Sequence, residues 1–109
     1  MQRMDEQVRE VLNALNIAYR YDHFRQSEAV PPPFAVYRRV AADPFAADGI
    51  AYHRGQHIDV ELYADTPENM ADLMERLEAL LDTAGIYAKC TADTVYIESE
   101  DFYESLYEI

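Results

Sequence analysis

The stretch that decides the fold runs from His57 to Gly85: HIDVELYADTPENMADLMERLEALLDTAG. Its hydrophobic period changes partway along. From His57 onward Ile58, Val60 and Leu62 alternate with Asp59, Glu61 and Tyr63, the pattern of a half-buried strand whose polar side points away from the core. Beyond Pro67, Met70, Leu73, Met74, Leu77, Leu80 and Leu81 recur at helical spacing and form one unbroken apolar stripe. Thr66 suits an N-cap, Pro67 the first helical position, and Gly85 the residue that closes the helix. Asp72 and Arg76 can pair across one turn. A strand and a helix, each with a single apolar face, must bury those faces against each other.

Reading outward gives the remaining elements. An amphipathic helix is predicted over Gln2–Leu15, with Met4, Val8, Val11, Leu12 and Leu15 on one face and Asp5 and Glu6 in the first turn. A short strand follows at Ile17–Tyr21. The polar segment Asp22–Pro33 ends in three prolines, which exclude helix and favour an extended approach to the next element. In Phe34–Val40, Phe34, Val36, Arg38 and Val40 face one way, and Ala35, Tyr37 and Arg39 the other. Turn signals at Pro44, Asp48-Gly49 and Gly55-Gln56 bracket a short strand at Ile50–His53, completing a three-strand meander with His57–Asp65. After Gly85, IYAKC and TVYIES read as two strands around a Thr91–Asp93 turn, and FYESLYEI as a last strand. The expected architecture is one α+β domain over residues 1–109. It is a two-layer sandwich of a mainly antiparallel sheet, about four to six strands, with both helices on one face.

Composition narrows function. Nine Lys and Arg face 21 Asp and Glu, a formal net charge of −12. So acidic a chain repels nucleic-acid phosphates. The charge either keeps the protein soluble or lines a surface past which DNA moves without adhering. Cys90 is the only cysteine, which excludes an internal disulfide and multi-cysteine metal motifs. No apolar run is long enough to span a bilayer, and the N-terminus lacks the apolar stretch of a signal peptide. Nine tyrosines and no tryptophan suit strands and protein–protein interfaces.

Several residue groups invite a chemical reading. His57, Asp59 and Glu61 share a strand face and could converge on a cation with His53, yet alternation alone accounts for their spacing. The acid pairs Glu98/Glu100 and Glu104/Glu108 lack a cleft of the kind glycosidase-like catalysis needs. Cys90, beside Lys89, reads as a buried or half-buried structural thiol. No catalytic, cofactor-binding or metal-ligating residue is therefore assigned, and the chain is read as a non-enzyme without cofactor. Arg38 and Arg39 suit either an intrachain ion pair or a contact with acids on another copy of the chain. With Tyr37 and Tyr63 they form the expected subunit interface. Asp59, Glu61, Glu98 and Glu100 are expected to face a lumen or a neighbour.

The residues also carry a resemblance. Pro32-Pro33-Phe34 leads into a strand reaching Tyr37. Ala47-Asp48 precedes Tyr52, and Ile58, Val60, Glu61, Leu62, Tyr63 and Asp65 form an I-x-V-E-L-Y-x-D strand. The amphipathic helix and the segment from Tyr96 to Glu108 complete the pattern. From about Ile17 onward the chain resembles the small tail-completion, or tail-terminator, proteins of long-tailed phages and prophages of Gram-positive bacteria. The resemblance implies a virion protein assembled in the bacterial cytoplasm, a homo-oligomer, usually a hexameric ring. Such a ring caps the head-proximal end of the tail tube, meets the tail tube protein and the head–tail connector, and lets DNA pass unbound. The Asp22–Pro33 and Ala41–Asp48 loops then become candidate contacts to tube or connector. Two other readings fit the composition: a head-closure or connector-adaptor neck protein, and an acidic host-directed binder that mimics DNA.

Overall fold

A computed structural model describes residues 3–40 and 57–109. Helix α1 (Met4–Leu15) leads to β1 (Ala18–Tyr21), a 3₁₀ turn (Gln26–Glu28), β2 (Phe34–Val40), β3 (His57–Ala64), α2 (Pro67–Ala84), β4 (Lys89–Ile97) and β5 (Phe102–Glu108). The five strands form one sheet in the order β1-β2-β3-β5-β4. Only β1 and β2 are parallel; the other pairs are antiparallel. The α+β architecture matches the expected one.

α2 is built as its sequence requires. Thr66 Oγ1 accepts the Asn69 N–H at 3.0 Å, and Pro67 begins the helix. Gly85 closes it with φ 73°, a left-handed conformation that glycine adopts without penalty. Met70, Leu73, Leu77 and Leu81 are buried, while Met74 and Leu80 pack at the margin. They meet Val8, Val11, Leu12 and Leu15 of α1, and Ala35, Tyr37, Ile58, Val60, Leu62, Ala64 and Tyr107 from a single sheet face. Fully burying each such side chain contributes about 1.5–3 kcal/mol. Arg76 ties the two helices, donating from Nη2 to the Leu15 carbonyl at 2.6 Å. It also lies 3.7 Å from Asp72, the pair expected from their spacing.

Four expectations are corrected. α1 begins at Met4, which is 45% exposed and stands outside the core. Tyr37 does not face outward: it is 6% exposed on the helix side, its ring edge-on to Tyr21. β2 pairs directly with β3, from Phe34↔Tyr63 to Val40↔His57, so no meander strand lies between them. The expected strand at Ile50–His53, its turns, and the Ala41–Asp48 loop lie outside the described residues. Finally, the two strands expected after Gly85 are one, β4, whose register against β5 slips between Cys90 and Ala92 and again between Ala92 and Val95. The local turn signal there is expressed as a bulge: Thr94 sits at φ 54°, and its N–H is taken by Ser105 Oγ at 2.9 Å.

β3 and β5 are both interior strands of the sheet. Their ladder runs from Asp59↔Glu108 to Ala64↔Tyr103 and is extended by reciprocal Ile58–Ile109 backbone bonds of 3.1 and 2.8 Å. Beyond β1 the chain turns at Asp22, φ 68°, and the following segment folds over the face opposite the helices.

Candidate functional site

The face of the sheet away from the helices carries the densest chemistry. Register places Phe34 beside Tyr63, Tyr63 beside Glu104, Arg38 beside Asp59, and Asp59 beside Glu108. Side chains on alternate positions of β2, β3 and β5 thus share one surface. The Asp22–Val30 segment walls it on one side and the β4–β5 hairpin on the other. Between them lies a concavity of about 460 Å³, floored by Phe34, Val36, Arg38, Tyr63 and Glu104.

Its apolar part is an aromatic cluster. Phe34 stacks on Tyr63 with centroids 4.7 Å apart, and Phe24 and Phe102 meet Phe34 edge-on at 5.1 and 5.7 Å. Arg20 lies over the Phe24 ring, 5.3 Å from its centroid, and pins the covering segment through Glu28 at 3.5 Å.

The polar part is a continuous chain of charges. Arg38 Nη2 lies 2.5 Å from Glu61 Oε1, and its Nε 3.4 Å from Asp22 Oδ1. Tyr63 Oη lies 2.5 Å from Glu61 Oε2 and 2.6 Å from Glu104 Oε2. One phenol hydrogen cannot serve two carboxylates, so the second contact needs a proton on a carboxyl. Burial raises the Glu104 pKa above the ordinary glutamate range; the Tyr63 hydrogen bond opposes this and Glu61 reinforces it. Of the two, Glu104 is the carboxyl whose pKa is raised, so it takes up a proton at higher pH than an ordinary glutamate; Tyr63 bridges it to Glu61, which faces Arg38. Burial, then the two carboxylates, pushes the Tyr63 phenol far above its usual value. This arrangement can bind and share a proton.

The expected site residues divide among different surroundings. Arg38 and Arg39 stand on opposite faces, and Arg39 reaches Asp5 of α1 at 3.4 Å. Both arginines thus have partners within the chain. Glu61 is 9% exposed and Asp59 is half-buried, both on the sheet face away from the helices. Glu98 and Glu100 are exposed in the β4–β5 hairpin turn. Cys90 is exposed, not buried, and its thiol is pushed up by desolvation and Asp93. His57 and Asp59 do meet, at 3.1 Å, but their third neighbour is Glu108, 3.9 Å from His57, rather than Glu61. His53 lies outside the described residues. Sequence reading missed the joining of Glu104 to Tyr63 and of Glu108 to Asp59. Alternation along β5 marks both glutamates as one face, but only the strand order brings β5 beside β3.

Among the described residues no helix is long and apolar enough to cross a membrane. Comparison with protein-family models, with curated proteins and with solved structures finds no match.

Proposed function

We propose that the protein is a structural component of a phage or prophage tail: a tail-completion protein that forms a ring at the head-proximal end of the tail tube. The ring joins the tube to the head connector and lets DNA pass without binding it. The observation that carries this reading is the outer strand β4. It leaves Val95 and Tyr96 about half exposed, at 46% and 48%, and Tyr87 just before it 83% exposed, on a chain of net charge −12. Exposed aromatic and apolar side chains along a sheet edge suit contact with a sister copy. The excess of acid suits a channel wall that DNA does not adhere to. In this reading the exposed Glu98 and Glu100 face that channel. The sequence resemblance from Ile17 onward supports the same reading.

Size-exclusion chromatography with light scattering, followed by electron microscopy, tests it. Closed rings, formed alone or on addition of tail tube protein, support the assignment. A chain that stays monomeric with tube protein present, and tails that complete without it, would overturn it. Rings that bind only the connector indicate a neck protein, and a monomer that captures a basic host protein indicates DNA mimicry. The position of the gene relative to that of the tail tube protein separates the first two.

A further inference from the structure

We propose that His57, Asp59 and Glu108 form a binding site for one divalent transition-metal ion, with zinc or a metal of similar size and preference as its occupant. One ligand atom from each of the three residues lies within 4.8 Å of the others. The imidazole Nε2 lies 3.1 Å from Asp59 Oδ1 and 3.9 Å from Glu108 Oε1. Ligands that each sit roughly 2.0–2.2 Å from a shared zinc ion stand about 3.0–3.5 Å apart; the His57–Asp59 pair already has that spacing, and Glu108 must move inward to share the ion.

A second observation bears on the orientation of these groups. Asp59 Oδ1 is shielded from solvent and receives no hydrogen bond, although Nε2 is so near. The oxygen is thus off the axis along which a ring N–H would donate. A neighbouring ligand of a metal ion held on that axis would lie in this position. Among the described residues, the nearby cations leave the cluster's charge intact. Arg38, opposite Asp59 in the register, is directed to Glu61 and Asp22, and Lys89, opposite Glu108, forms no ion pair with it. Two carboxylates and a neutral imidazole then balance a doubly charged ion, and this mixed nitrogen–oxygen set selects zinc, cobalt or manganese over magnesium. Asp59 and Glu108 are register partners on the adjacent strands β3 and β5, so the ladder sets their side chains side by side.

This site is independent of the tail reading, since its test needs no assembly. Zn²⁺ is titrated into the purified chain by calorimetry, and Co²⁺ is used as a spectroscopic probe. The expected result is one saturable ion per chain, with visible Co²⁺ bands and resistance to competing Mg²⁺. His57→Ala, Asp59→Asn and Glu108→Gln should each weaken binding by roughly tenfold or more, since loss of even an outer-shell partner has that effect. The exposed helix variants Glu68→Gln and Glu75→Gln should bind as the wild type does. In the unmodified protein, Zn²⁺ should shift the His57 ring signals in NMR spectra and leave those of His23 in place. Binding without saturation, equal binding by His57→Ala, or an unmoved His57 resonance would each overturn the proposal.

Discussion

Tyr63 shows how a single hydroxyl can govern an acidic surface. Its oxygen separates Glu61 from Glu104, and its ring stacks on Phe34. Tyr63→Phe keeps the stacking and removes the bridge, so it should lower stability by about 1–2 kcal/mol at neutral pH in urea unfolding. Glu104→Gln should act in the opposite sense. A carboxyl whose pKa is raised in the folded state contributes no penalty below its unfolded value, and destabilises increasingly as pH rises through the folded value. The variant should therefore match the wild type in acid and gain on it progressively as pH rises through and beyond the glutamate range; a pH-independent difference would rule out the shared proton. Arg38 and Arg39 offer a further contrast. Arg38 lies 2.5 Å from a Glu61 side chain only 12% exposed, whereas Arg39 lies 3.4 Å from Asp5, a carboxylate that Arg3 already pairs with at 3.0 Å. Arg38→Gln should cost about 1–3 kcal/mol even after solvent screening, and Arg39→Gln only about 0–1 kcal/mol, in the same measurement. Neither ranking was legible in the sequence, where the two arginines are adjacent and alike. Their difference comes from strand alternation, which sends one toward α1 and the other toward Glu61.

Elements with strong local signals were readable in advance. α2 announces its cap, first-turn proline, stripe and closing glycine, and it forms as read. Its energetics should follow the same logic. Leu77, 1% exposed, should cost about 2–5 kcal/mol as Leu77→Ala, and Thr66→Ala about 1 kcal/mol through the lost bond from Asn69, both measured by denaturant unfolding. β4 was harder to read. Polar residues at Thr91–Asp93 carry turn chemistry, yet pairing with β5 and the Ser105 hydroxyl hold the chain as one kinked strand. β2 was misread for a related reason. Alternation identifies its two faces but not which one meets the helices, and Tyr37 reads equally well as core or surface. The candidate site was legible only in pieces. His57, Asp59, Glu61 and Tyr63 lie on one segment, while Glu104 and Glu108 join them through sheet order.

At the scale of the whole molecule, an excess of twelve negative charges works against compactness. Added monovalent salt should screen this repulsion, so the melting temperature should rise between low and physiological ionic strength in a thermal scan; a flat response would mean the acids are already neutralised locally. How such a body joins others depends on the double slip in β4. A straight outer strand could keep recruiting partners, stacking copy upon copy into a fibre. Broken twice within nine residues, this border offers a partner only brief straight runs, each turned from the last. Cross-chain zippering stops early, and aggregation has little flat template from which to spread.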